Sequence, residues 1–316
     1  KFSKLIIHFA VIIIALFLSA ILTLTENKVK AENLNNNDVI TGDFIPCDES
    51  FYKQYLYNSK SSKERINNGT INGSELGEYC LRDNYIFYTQ NQSVNGLCWA
   101  YAGNMAITTT IEKATGQYYD FSETWISLCA TTNEGYGNGY VFASGGNDYI
   151  YNKVVNNCGL VLESDLQNQN SHIMCNQNSK DFYNFYSKYS NKNLYKSLNY
   201  ITYDLNTQSS EIKNHIYNYG ALTISMDWKS TTTKGKDWIK VPVAENESGG
   251  HEIVVIGWDD DYSYTYQNKT YTGAWLCLNS WGNTRGNNGI YHILYDDQTL
   301  YGYVGGYIYD ATSNDY

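Results

Sequence analysis

The hydrophobic period of the chain changes near residue 200, and that change limits the folds open to it. Between Cys98 and Thr115, the residues Trp99, Ala102, Met105, Ala106 and Ile111 recur at helical spacing, and Gly116 stops the run. Shorter helical patterns follow at 122–130 and 146–157. Beyond 200 the apolar runs are short or alternating: Ala221 to Met226, His251 to Trp258, Ala274 to Leu278 and Gly289 to Leu294, each bounded by Gly, Asn or Asp. These read as strands. A helical half followed by a β half is an α+β arrangement. The 316 residues suffice for one large domain or two half-domains sharing a core. No internal repeat or low-complexity tract interrupts them.

The N-terminal region reads differently. Lys1 and Lys4 precede an apolar run from Leu5 to about Leu24, and Val29-Lys30-Ala31 offers small residues at cleavage spacing. Residues 1–31 are therefore expected to be a secretory signal, with an uncleaved membrane anchor as the alternative. Residues 32–78 are polar, with one short helical stretch carrying Phe51, Tyr52, Tyr55 and Leu56 on one side. They read as a leader or pro-segment. Export places the protein outside the cell, secreted or at the surface, where disulfides persist. Seven Cys leave at least one thiol unpaired. The net charge of −10 repels polyphosphate, which argues against a nucleic-acid partner.

Three segments carry chemistry. Gln92-Ser93-Val94-Asn95-Gly96-Leu97-Cys98-Trp99 places a thiol at a helix start, where the helix dipole and free N–H groups favour the thiolate. Gly249-Gly250-His251 opens a strongly apolar strand with an imidazole. Asn279-Ser280-Trp281-Gly282 closes another. Each alone is ordinary: a buried Cys, a strand-edge His, strand-end punctuation. No Cys/His pair has zinc spacing, and Asp259, Asp260 and Asp261 lack the further oxygens a calcium site needs, so they read as a solvated loop.

Together, the three segments resemble the papain family of cysteine peptidases. Its signature is Cys-Gly-(Ser/Ala)-Cys-(Trp/Tyr), with His and Asn far downstream. Here they follow roughly 150 and 180 residues later, somewhat beyond the usual spacing, which insertions at 228–248 and 259–273 would explain. The resemblance runs from about Leu81 to Ile308, and Gly257-Trp258-Asp259-Asp260 with Gly273-Ala274-Trp275 is similar to exported bacterial members. It implies a papain-like fold, with a helical subdomain (79–200) packed against a β-rich one (201–316) and the cleft between them. It implies peptide-bond hydrolysis of protein or peptide substrates, with no metal or cofactor, and contact with a membrane only if the N-terminal segment stays uncleaved. By position, Cys98 is the nucleophile, His251 its base and Asn279 the group that orients the imidazole. Gln92 and the Cys98 N–H form an oxyanion hole, Trp281 shields the His–Asn bond, and Gly145 and Gly146 bind substrate backbone. A catalytically inactive surface or binding protein on the same scaffold is the alternative, as is a transglutaminase-like or amidase thiol enzyme.

The departures from the family pattern concern specificity. Asn95 stands where the signature has its first Cys, and no Cys precedes Gly145-Gly146, so the disulfide usual there is absent. Leu97 replaces a small residue and Arg285 a common Trp. Glu252 follows His251 where a small apolar residue is usual, and is expected to raise the imidazole pKa or alter substrate charge preference. The resemblance also pairs Cys129 with Cys175 and leaves Cys277 as a buried free thiol. It leaves Cys47, Cys80 and Cys158 open, with Cys47–Cys80 or Cys80–Cys158 as possible bridges.

Overall fold

The computed structural model describes residues 47–58, 72–93, 96–133, 145–166, 187–188, 198–243 and 249–310. The N-terminal apolar run therefore lies outside the described residues, as does Cys175.

The helical half is built on α2 (Cys98–Thr115), preceded in the chain by the short α1 (Glu49–Gln54). Nearly every side chain of α2 from Cys98 to Glu112 is buried, so this helix is covered all round and not amphipathic. Its last turn closes on Gly116, whose φ of 73° supplies the left-handed cap, with its N–H donating to the Glu112 carbonyl. Its first turn has no side-chain cap at Leu97. A helix start of this kind favours an anion. Helices α3 (Glu123–Asn133) and α4 (Asp148–Cys158) follow, near the windows the periodicity predicts. Asn147 caps α4, its side chain accepting from the Ile150 N–H at 3.0 Å.

The strands form one mixed sheet. They are β1 (Glu78–Cys80), β2 (Leu198–Asp204), β3 (Leu222–Trp228), β4 (Thr231–Lys234), β5 (Asp237–Lys240), β6 (Gly249–Tyr266), β7 (Lys269–Leu278), β8 (Ile290–Leu294) and β9 (Leu300–Tyr309). The order is β2-β9-β3-β6-β7-β8-β5-β4, with β1 added to β6. Central β6 pairs antiparallel with β3 and β7, and α2 packs against β6 and β9. The core is thus the seam between this largely buried helix and the middle of the sheet.

The structure corrects several sequence expectations. The presumed loops 228–248 and 259–273 contain β-hairpins. β4 pairs with β5, and β6 turns into β7 at Gln267 and Asn268, both at positive φ, the backbone a tight hairpin turn demands. Asp259 to Asp261 consequently lie within β6 and not in a loop; Asp260 accepts from Lys213 Nζ at 2.6 and 2.8 Å and from the Tyr295 hydroxyl at 2.6 Å. The β half also holds a helix, α5 (Ser209–Asn218), which buries Ile212, His215 and Ile216 beneath a polar exterior. Separately, and without bearing on their reading as leader, residues 47–57 and 72–78 are bonded to the sheet. Tyr57 N–H donates to the Thr202 carbonyl at 2.9 Å, the Trp258 indole N–H to the Leu76 carbonyl at 3.0 Å, and Asp260 N–H to the Gly77 carbonyl at 2.8 Å.

Gly257 shows how tightly β1 is seated. A Cβ there would lie 2.0 Å from the Tyr79 carbonyl oxygen and 2.9 Å from Cys80 Cα. Both are backbone atoms, so no rotamer change relieves the clash. Gly257→Ala is expected to cost about 1–3 kcal/mol of stability in denaturant unfolding. An unchanged unfolding midpoint would show that β1 is not held as described.

Candidate active site

Cys98 is the first residue of α2, 1% exposed, and α2 packs on the strand that carries His251, itself 1% exposed. Asn279 follows β7, whose Leu278 pairs with Val254 of β6. Sheet register therefore brings Asn279 to His251, and His251 Nε2 lies 3.0 Å from Asn279 Oδ1. The direction of this bond follows from a second one. The Ser280 backbone N–H, which can only donate, lies 2.7 Å from the same Oδ1. The atom between them is an acceptor, so His251 carries its hydrogen on Nε2. That leaves Nδ1 as the ring nitrogen able to take a proton. Asn279 Nδ2 is buried without a hydrogen-bond partner among the described residues.

Trp281 stacks on the His251 ring at 4.5 Å and 20°, and Trp228 meets it edge-on at 5.5 Å. Beneath these rings His251 and Asn279 are both buried. Burial pulls the His251 imidazole down to about 4, with the Asn279 bond opposing the shift.

Gln92 is fully buried and tied to the strand end that carries Asn279. Its N–H donates to the Ser280 carbonyl at 2.8 Å, and its Oε1 accepts from the Ser280 hydroxyl at 2.5 Å. Gly282 N–H donates to the Gln90 carbonyl at 2.9 Å, completing a short ladder between 90–92 and 280–282. With Oε1 engaged by Ser280, the NH2 end of the amide is directed elsewhere. Ser280 thus positions both Gln92 and Asn279. Sequence reasoning assigned it no role, although it stands inside the string that drew attention to Asn279.

Gly145 and Gly146 lie just ahead of α4. A Cβ on Gly146 would fall 2.3 Å from the ring of Trp99, the residue after Cys98. The absence of a side chain there has a packing cause beside any role with substrate.

Glu252 does not behave as its neighbourhood in sequence suggests. Adjacent strand residues point to opposite faces, so the carboxyl turns away from the imidazole and raises nothing there; burial lowers His251 instead. Glu252 Oε1 accepts from the Ser225 hydroxyl at 3.3 Å, and Glu252 faces Asp148 at the start of α4. Both are under 5% exposed. Desolvation, with the other carboxyl adding to it, pushes Glu252 well above the ordinary carboxylate range; desolvation also raises Asp148. Asp148 further accepts from the Thr223 hydroxyl at 2.9 Å and from the Tyr52 hydroxyl of α1 at 3.3 Å. Asp148 and Tyr52 escaped sequence reasoning because only tertiary packing makes them neighbours of Glu252.

Comparison with known proteins gives a consistent picture. The family model described as papain family cysteine protease matches residues 79–308. Cathepsin B-like cysteine proteinase 3 of Caenorhabditis elegans is 26% identical over 227 residues, 66% of this chain and 58% of that protein. The chain therefore spans under two thirds of this relative's length. Among solved structures, xylellain, a cysteine protease from Xylella fastidiosa, superposes with a TM-score of 0.59 at 15% identity, over 88% of this chain and 99% of that one. The cysteine protease and lectin-like domains of Cwp84, a surface layer associated protein of Clostridium difficile, give 0.58 at 21% identity, over 84% and 60%. Both structural likenesses concern the fold.

Proposed function

The chain belongs to the papain family of cysteine proteases, and from that premise we propose that it hydrolyses peptide bonds in protein substrates through Cys98, His251 and Asn279. The observation that carries the reading is the buried His251–Asn279 bond, which fixes the Nε2–H tautomer and frees Nδ1 for a thiol proton. The uncapped start of α2 supplies N–H groups that favour a thiolate at Cys98. Burial disfavours the imidazolium, so a thiolate at Cys98 is what would hold the ring charged.

The steps follow from these groups. The Cys98 thiolate attacks the scissile carbonyl, and the oxyanion meets the Cys98 N–H and the Gln92 NH2. Protonated His251 gives its proton to the leaving amine as the C–N bond breaks, leaving a thioester. Neutral His251 then takes a proton from water, the hydroxide oxygen attacks the thioester, and the thiolate departs. No step calls for a metal or cofactor. Labelling the native protein with iodoacetamide beside a peptide-library digestion tests the proposal. One fast-reacting thiol at Cys98 together with cleavage is expected; cleavage that survives full alkylation of Cys98 would sink it.

The proposed site of action is outside the cell, on the strength of the signal-like residues 1–31, as an exported bacterial type of enzyme. Within residues 32–78, the part that carries α1 is proposed to be a pro-segment that restrains the enzyme. Supporting this, α1 is seated on the carboxyl pair and on strands β2 and β9. Tyr52 reaches Asp148, stacks on Tyr303 at 5.1 Å, and offers its carbonyl to the Thr202 hydroxyl at 2.6 Å. The groups facing the carboxyl pair are Tyr52 and Cys47 from the segment, Tyr200 from β2, Thr223 and Ser225 from β3, and Tyr151 and Tyr307.

Carboxyls whose folded pKa is raised stabilise the seat below the unfolded value, about 4, and that contribution disappears as pH rises through the raised values. The segment-bearing chain is thus expected to gain activity with rising pH relative to a Tyr52→Ala variant, which should be several-fold more active at acidic pH. Equal rates for the two chains at every pH would end the pro-segment idea.

A further inference from the structure

We infer that Cys129 and Cys158 are a disulfide-forming pair that clasps α3 to α4. Cys129 and Cys158 are buried, 0% and 2% exposed, on two helices that pack against each other, with the one thiol close enough to the other to perturb it. Their backbones are fixed from several directions. One turn before Cys129, the Trp125 indole N–H donates to the carbonyl of Gly159, the residue after Cys158, at 3.1 Å. Beyond it, Phe121 bridges antiparallel to Leu162, Ser122 N–H donates to the Val161 carbonyl at 2.9 Å, and Glu163 N–H to the Asp120 carbonyl at 2.8 Å. These bonds hold α3 and α4 together on either side of the two thiols, the side-by-side placement that a disulfide between them needs. The family resemblance gives Cys129 a different partner, Cys175; the contact seen here is with Cys158.

The bond needs an oxidant, and a small-molecule disulfide RSSR suffices. One protein thiolate attacks RSSR, forming a mixed disulfide and releasing RS⁻. The second protein thiolate attacks the mixed disulfide and releases the other RS⁻. Two thiols lose two electrons and two protons, and RSSR becomes two RSH. Because both sulfurs are buried once α3 and α4 have docked, the exchange belongs to the folding chain. The loop so closed contains Gly145, Gly146 and Asp148. The clasp therefore anchors the segment that leads past Trp99 to the carboxyl pair. The inference stands independently of the catalytic proposal.

Full-length protein folded with oxidised glutathione is alkylated in denaturant without reductant, digested and mapped by mass spectrometry. A linked peptide pair containing Cys129 and Cys158 is expected, two hydrogens lighter than the separate peptides. Cys129 linked to Cys175, or both thiols recovered alkylated, overturns the inference. As a second readout, reductant should lower the Tm of the native chain by about 8 °C and that of a Cys129→Ser/Cys158→Ser chain by clearly less. An equal drop in both chains overturns it.

Discussion

Peptide hydrolysis by Cys98→Ala is expected to fall by at least about 10⁴-fold in kcat/KM, the largest effect of any single change in this chain. The methyl group cannot form a thioester, so the two-step route closes. What remains is water attack assisted by His251 and the oxyanion donors, and such residual catalysis is small beside that of an intact nucleophile. Folding should survive, because alanine suits the first turn of α2 and leaves the N–H groups in place. The measurement is kcat/KM on a peptide from the library digestion, with circular dichroism to check the fold. A folded variant that keeps a tenth of the activity would place the nucleophile elsewhere.

Gln92→Ala is expected to lower kcat by about 100- to 1,000-fold while KM changes little. An oxyanion donor acts on charge that develops only in the transition state, so its loss appears in kcat. The buried amide is held by Ser280, whose hydroxyl bonds its Oε1 and whose N–H bonds Asn279. Gln92→Glu is the informative companion. It keeps the size of the side chain but replaces the donor with a group that repels the oxyanion, and should be at least as damaging as alanine. A loss confined to KM in both variants would assign Gln92 to substrate binding alone.

The helix and strands that carry the candidate site were legible in the sequence because local signals agreed with one another there. The helix from Cys98 ends at a glycine in the left-handed region, as its pattern required. Strands β3, β6, β7 and β8 fall where apolar runs are bounded by turn residues. Other elements were hidden for physical reasons. β9 (Leu300–Tyr309) contains Gly302, Gly305 and Gly306, poor strand formers in isolation. Yet Gly305 lies where a Cβ would strike the Tyr200 hydroxyl at 2.2 Å, and Gly306 where it would strike Leu222 Cδ2 at 2.4 Å. Their smallness is a packing requirement that appears only once β2 and β3 flank them. α5 buries few apolar side chains under a polar exterior, so its period is faint. The contact between Cys129 and Cys158 is tertiary, and no spacing rule announces it.

The seating of β1 sets a boundary for any trimming that matures this enzyme. Leu76 and Gly77 lend their carbonyls to Trp258 and Asp260, and Glu78 to Cys80 lie along the edge of the strand that carries His251. A protease that severs the chain before residue 72 can release α1 and leave this border whole. A cut at or after Leu76 would remove contacts from the strand that carries His251, so on the pro-segment proposal the released part is expected to end upstream of Leu76.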